Sequence, residues 1–345
     1  MFKPMKPAIY ALVTLLLATA ILAGCAMPAE PTQAPASQGS AVGQDQGSTG
    51  KVIAPKNGKN YVVGVTIITA QHPFFVVFNR DLLAEGQAQG VDVRLMDPQM
   101  DVNKQISQIE DMIQQNVDLI MILPIDTKAV VPGIEKANAA GIPVMVVDRR
   151  SDGGKYIGYV SSDNVAIGRM AANYIATRLN GQGKIAVMEG ETGAGPTVDR
   201  NKGFDEVISQ YPGIEIVLRQ SGSFLRDKGM SITENWLQTG KQIDAIFYEN
   251  DAMAGGGVEA IAAAGKTDEI IVVGCDAQKD MFENIKAGKA DATFVYPPQS
   301  GKEGLKVALQ YLKGEPFEPV TMLPTALVNA GNVDYWMKQG STAGY

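Results

Sequence analysis

The sequence predicts an α/β protein of two lobes, with parallel sheets flanked by helices. Three observations carry that expectation. From Tyr61 onward, short apolar runs alternate with stretches of helical periodicity almost without interruption, the pattern of repeated βαβ units. Ten such strand-like runs can be counted, more than one compact sheet usually holds, so two lobes are expected. Finally, the apolar run 144–147 stops on Asp148 and Arg149. That places a carboxylate and a guanidinium at the carboxyl end of a strand, where open parallel sheets bind ligands.

Taken in order, strands are expected at 61–68, 91–96, 119–123 and 144–147, with helices at 74–89, 102–115 and 130–140 between them. In the second helix Ile106, Ile109, Met112 and Ile113 share one face at helical spacing. Gly141 and Pro143 then break the third helix, leaving 144–147 as a short run suited to a buried strand. Past Gly153-Gly154 the alternation resumes. Strands are expected at 157–160, 184–188, 214–218, 245–248, 270–273 and 292–295, and helices at 165–179, 198–210, 226–239, 252–264 and 280–287. A last helix at 300–312 precedes a poorly defined tail.

The 345 residues can hold two domains with ordinary cores. An apolar content of 45% with 19% charged residues describes a folded chain, and a net charge of −7 argues against a nucleic-acid partner. The N-terminus is set apart. Lys3 and Lys6 precede an apolar run from Ala8 to Leu22 that ends in Leu-Ala-Gly-Cys, the layout of a secretory signal over residues 1–24 and short for a membrane span. That ending resembles the lipobox of bacterial lipoproteins, which implies cleavage before Cys25 and acylation of Cys25, tying the protein to a membrane. Residues 25–58 read as a flexible tether, being rich in Pro, Gln, Ser, Gly and Ala. With Cys25 acylated, only Cys275 remains and no intramolecular disulfide is available.

Several function classes lose support. The turn after the first strand, Ile-Thr-Ala-Gln-His-Pro-Phe-Phe at 68–75, has none of the glycines of a dinucleotide fingerprint. The glycine-rich turn at 190–195, Gly-Glu-Thr-Gly-Ala-Gly, lacks the Lys-Ser/Thr of a phosphate loop, and Glu191 would repel phosphate. There is one histidine, no cluster of metal-ligand spacing and no nucleophile–base pair. No catalytic residue, metal or cofactor is therefore assigned, and an enzyme is not expected.

What remains suits a small ligand covered in hydroxyls. Asp148 offers acceptors and Arg149 five donors in a fixed fork, although the two could equally be a surface ion pair capping the strand. Phe74 and Phe75 follow Pro73 at the end of the first strand. Their rings could pack on the C–H face of a sugar, or simply open a helix with both rings in the core.

At this point a family resemblance is carried by six motifs in order. They are His-Pro-Phe-Phe (72–75), Val-Asp-Arg-Arg (147–150), Ser-Ser-Asp-Asn (161–164), Asp-Arg-Asn-Lys-Gly-Phe (199–204), Glu-Asn-Asp-Ala-Met-Ala (249–254) and Val-Gly-Cys-Asp (273–276). Together they resemble the ribose-binding-protein-like family, type I periplasmic binding proteins that serve bacterial ABC sugar importers. Arg-Gln-Ser-Gly-Ser-Phe at 219–224 is also similar to the galactofuranose-binding branch.

The resemblance implies two similar lobes, each a parallel sheet flanked by helices, joined by a three-segment hinge, with the sugar between them. The N-terminal lobe would comprise 59–162 plus about 297–320, and the C-terminal lobe 163–296 plus about 321–340. Phe74 or Phe75 would stack on one sugar face and Phe224 on the other. Asp148 and Arg149 would bind hydroxyls from the first lobe, and Arg200, Asn250 and Asp276 from the second. Asn250 and Asp276 also have a plainer reading as helix caps. His72, Tyr296 and Ile68 depart from the ribose pattern, so a different pocket outline is expected, with His72 and Tyr296 both able to donate to ligand. The implied function is capture of a monosaccharide or polyol by hinge closure and delivery to an ABC transporter permease, outside the cytoplasmic membrane, by a monomer. The alternative is a sugar sensor feeding a chemoreceptor or sensor kinase.

Overall fold

The computed structural model describes residues 50–338. The expected signal peptide, the acylated Cys25 and most of the tether lie outside the described residues. The first half of the chain runs β1 (Val62–Thr66), α1 (Pro73–Gln89), β2 (Asp92–Met96), α2 (Val102–Gln114), β3 (Leu119–Ile122), α3 (Val131–Ala139), β4 (Val144–Val147) and β5 (Gly158–Ser162). The second runs α4 (Asn164–Arg178), β6 (Gln182–Glu189), α5 (Gly195–Ile208), β7 (Gly213–Ser221), α6 (Arg226–Gln238), β8 (Ala245–Tyr248), α7 (Asp251–Ala263), β9 (Ile271–Val273), α8 (Lys279–Lys286) and β10 (Ala292–Phe294). The end of the described chain adds α9 (Ser300–Lys313), β11 (Val320–Leu323), β12 (Leu327–Asn329) and α10 (Val333–Lys338).

Two six-stranded sheets result, ordered β11-β5-β4-β3-β1-β2 and β12-β10-β9-β8-β6-β7. The inner strands β3, β4 and β8 are buried at every residue, which is why they read as unbroken apolar runs and not as alternation. The chain passes between the lobes three times: after β5, after β10, and between β11 and β12.

The structure adds three details to these expectations. The tail forms strands within the described residues: β11 pairs in parallel with β5, and β12 pairs antiparallel with β10, so the second sheet is mostly and not wholly parallel. The first lobe keeps the chain as far as Leu323, beyond the expected return near 321, because register with β5 runs from Val320 to Leu323. The tether also ends earlier than residue 58. The Ile53 N–H donates to the Leu312 carbonyl (2.8 Å), and Lys56 donates from its backbone to Asp118 Oδ1 (2.8 Å) and from Nζ to the Val117 carbonyl (2.8 Å). These polar groups strap 53–56 onto the first lobe, a contact that low apolar content could not foretell. Among the described residues, no helix is long and apolar enough to cross a membrane.

Candidate ligand-binding site

The carboxyl ends of both sheets face one cleft, and the turns that follow their strands supply its lining. All ten residues singled out in the sequence line a single cavity there: His72, Phe74, Phe75, Asp148, Arg149, Arg200, Phe224, Asn250, Asp276 and Tyr296. Pro196, in the first turn of α5, completes the wall. The space between the lining atoms, its open mouth included, is about 360 Å³.

Three of the lining residues have positive φ although none is glycine: Asp148 (64°), Phe224 (60°) and Asp276 (127°). Such conformations cost about 1–3 kcal/mol each and persist only where surrounding contacts enforce them. At Asp148 the enforcing contacts are visible. Its N–H donates to the Val160 carbonyl (2.8 Å), and its carbonyl accepts from Ser161 Oγ (2.5 Å) and Tyr296 Oη (3.0 Å). Tyr296 also donates to Asp148 Oδ1 (3.1 Å), leaving Oδ2 toward Arg149 at 4.0 Å. Burial pushes the Asp148 carboxyl up, against the pull of Arg149 and the Tyr296 hydrogen bond.

Arg149 is held from beneath by a relay. Buried Gln105 on α2 donates to the Ile67 and Leu123 carbonyls (3.1 and 2.7 Å) and accepts from the Ile125 N–H (3.2 Å). The Ile125 carbonyl in turn accepts from Arg149 Nη1 (3.2 Å). The guanidinium carbon then lies 6.0 Å from the Phe75 ring centre and 5.6 Å from that of Phe224, between aromatics of opposite lobes. Its Nε is buried without a hydrogen-bond acceptor among the described residues, a donor available to a ligand.

In the second lobe, Arg200 projects from α5 and is only 2% exposed. Its Nε donates to Asn164 Oδ1 (3.0 Å), its Nη1 donates to the Glu249 carbonyl, and its guanidinium lies 4.7 Å from the Tyr296 ring centre. Burial alone would depress its ionisation, but the acidic surroundings, including Asp276 and Glu249, more than reverse this and hold it charged. Asp276 does not cap a helix: α8 starts at Lys279 behind Gln278, and Asp276 Oδ2 accepts from Gln278 Nε2 (3.2 Å). Burial raises its carboxyl well above the usual range, with Arg200 opposing.

Asn250 takes the capping role expected for it and also lines the cavity. Its Oδ1 caps α7 by accepting from the Met253 N–H (2.9 Å), while its amide nitrogen faces the cavity and donates to the Phe224 carbonyl (3.2 Å). His72 meets the same carbonyl from the first lobe through Nε2 (3.2 Å), while its Nδ1 accepts from the Phe74 N–H (3.2 Å) and caps α1. An Nδ1 that accepts and an Nε2 that donates define the neutral Nε2-protonated tautomer. Burial pushes its pKa down to about 4. The Phe224 ring lies over Gly190, where a Cβ would fall 1.9 Å from Cζ. The glycine-rich turn that is no phosphate loop thus serves to admit an aromatic ring.

Sequence reasoning missed Pro196 and the supports Gln105, Asn164 and Glu249. Gln105 lies among exposed polar residues of the amphipathic α2, where nothing local marks a buried amide, whereas Asn164 and Glu249 stand at the ends of two of the family motifs. Pro196 had a signal in the Gly195-Pro196 start of α5.

Two α/β lobes that converge two carboxylates, two guanidiniums and three phenylalanines on one cavity define a protein that encloses a small solute. A family model for the periplasmic binding protein domain matches residues 63–316, and the chain belongs to that family, whose members are solute-binding proteins and not enzymes. It is 39% identical over 272 residues to the ribose import binding protein RbsB of Bacillus subtilis, covering 79% of this chain and 88% of that one. An ABC transporter solute-binding protein from Bacillus halodurans with bound myo-inositol superposes with a TM-score of 0.77 at 34% identity, over 81% of this chain and 98% of that one. A fructose-binding periplasmic domain of a hybrid two-component system gives a TM-score of 0.78 at 30% identity, over 83% and 96%.

Proposed function

We propose that this chain captures a neutral monosaccharide or a polyol of similar size by closure of its two lobes, and hands it to the permease of an ABC importer. The observation that carries the reading is the balance of the cavity. Asp148 and Asp276 stand in one cavity with Arg149 and Arg200, so the site offers carboxyl acceptors and guanidinium donors side by side. Hydrogen bonds to ionised groups are about twice as strong as neutral ones, and a ring of hydroxyls can satisfy both signs at once. Phe74 and Phe75 from one lobe and Phe224 from the other supply apolar walls for the C–H faces of a ring. Asp148 and Arg149 bind from the first lobe, Arg200, Asn250 and Asp276 from the second, and His72 and Tyr296 shape the outline. The relatives named for ribose and myo-inositol support a ligand of this class.

The test is a thermal-shift screen of the purified protein against pentoses, hexoses and polyols, followed by calorimetry on any hit. Ligand at ~100 times its dissociation constant stabilises by about 2.7 kcal/mol, a rise of a few degrees. A panel with no shift from folded protein would sink the reading.

The chain is proposed to act as a monomer outside the cytoplasmic membrane, anchored by lipid on Cys25. Mass spectrometry of the membrane fraction tests this, with a diacylglyceryl adduct expected and lost in Cys25→Ser. A second reading, a sugar sensor for a signalling kinase, draws on the likeness to the fructose-binding domain of a two-component system. Loss of uptake of the ligand in a deletion strain favours import; loss of a transcriptional response with uptake intact favours sensing.

A further inference from the structure

Two of the motifs that line the cavity each carry a neighbouring charge that the cavity does not use. Arg150 follows Asp148 and Arg149, and Asp199 precedes Arg200. The structure joins these two to each other across the cleft. Arg150 Nε, beyond β4 in the first lobe, donates to both carboxylate oxygens of Asp199 on α5 of the second, at 2.9 and 3.2 Å. Arg150 also pairs with Asp152. Asp152 is braced in turn on Thr127: its Oδ2 accepts from Thr127 Oγ1 (3.0 Å) and its N–H donates to the Thr127 carbonyl (2.8 Å). The Thr127 N–H then reaches across the cleft to the Gly193 carbonyl (3.2 Å). Gly193 has φ 83°, and a Cβ there would stand 2.0 Å from Asp126 Oδ2, so glycine is what lets the two loops meet.

We propose that Arg150, Asp199 and the Thr127–Gly193 contact form a latch that holds the lobes closed and sets how tightly solute is retained without touching it. These bonds span the lobes, so they exist only when the lobes have come together, and whatever they contribute falls entirely on the closed state. Apparent affinity scales with the fraction of molecules able to close, so the latch acts on binding through that fraction. The arrangement of charge gives each residue a different weight. Arg150 is the cation between Asp152 on one lobe and Asp199 on the other. Losing Asp199 removes an attraction. Losing Arg150 also leaves two carboxylates facing each other.

The consequence for solute rests on the proposed binding function, but the latch is a statement about the lobes and can be tested with no ligand. Pulsed electron spin resonance between labels at exposed Gln87 and Gln238 would report the interlobe distance in protein dialysed free of small molecules. The closed fraction should fall about threefold in Asp199→Asn, the scale of a partly exposed ion pair, and further in Arg150→Gln. The double variant should be less open than Arg150→Gln alone, because the facing carboxylates are then one. Variants that share the wild type's distance distribution would overturn the latch. If the sugar screen is flat while these shifts appear, the binding function fails and the latch stands. If sugar binds while the distances stay unchanged, the latch fails and the binding function stands.

Discussion

The Tyr296 hydroxyl donates to both the backbone carbonyl and Oδ1 of Asp148, at 3.0 and 3.1 Å. A residue at the exit of β10 thereby fixes a carboxylate belonging to the first lobe, and does so at a position of positive φ. Tyr296→Phe keeps the ring against Phe74 and Arg200 and removes only the donor. Leaving a buried acceptor unpaired costs about 1–3 kcal/mol. A lower urea midpoint with unchanged m is expected, and an unaltered midpoint would show the bond to be inconsequential.

Gly190→Ala should cripple the site while sparing the fold. The new Cβ would fall within the Phe224 ring, which must swing out of the cavity and carry with it the carbonyl shared by His72 and Asn250. Displacement of this kind costs about 1–3 kcal/mol, so affinity for any sugar found in the screen should drop by roughly tenfold or more. Calorimetry beside far-UV circular dichroism checks both halves. Intact affinity would mean that the ring is not part of the binding surface.

Arg200→Ala should weaken sugar binding by about 2 kcal/mol or more, the scale of a hydrogen bond to a charged group. The same change strands Asn164 Oδ1 and the Glu249 carbonyl, so a loss of stability should accompany it. Arg200→Lys keeps the charge but not the fork, and should recover stability more than affinity. Equal recovery of both would assign Arg200 a purely electrostatic role.

Stability should depend on pH in two opposite ways. His72 titrates near 4 in the fold against 6.5 unfolded, so its contribution is complete above pH 6.5 and is lost as pH falls toward 4. Glu249 and Asp251 are pushed by burial up to about 8 and about 7, from 4.5 and 3.8. Their contributions are complete below the unfolded values and are lost as pH rises through the folded ones. Between pH 6.5 and 8.5 only the acids act, so urea midpoints should decline across that range, and Glu249→Gln should flatten the decline. Midpoints that stay level over the same range would show Glu249 and Asp251 to be ionised in the fold.

Much of the architecture was legible because its signals are local. Buried strands such as β3 and β4 need apolar side chains on both faces, and helices such as α2 need them on one, so composition and period mark both. The strands of the tail were not legible. β11 and β12 are edge strands of four and three residues with partly exposed side chains, too short and too mixed to stand out from a loop. The ten lining residues were legible by chemistry and family motif, since each stands in a turn after a strand or on the helix that follows one.

By itself, then, the sequence determined the alternation of elements, the placement of polar and aromatic side chains at strand ends, and the adjacency of Asp148 and Arg149. Tertiary structure alone decided how those groups are used. It bent Asp148, Phe224 and Asp276 into positive φ, brought His72 and Asn250 from opposite lobes onto one carbonyl, and joined Arg150 to Asp199. The physical reason is range. Burial preference is written residue by residue, whereas backbone strain and contacts between lobes are enforced by partners tens to hundreds of positions away, which leave no local trace.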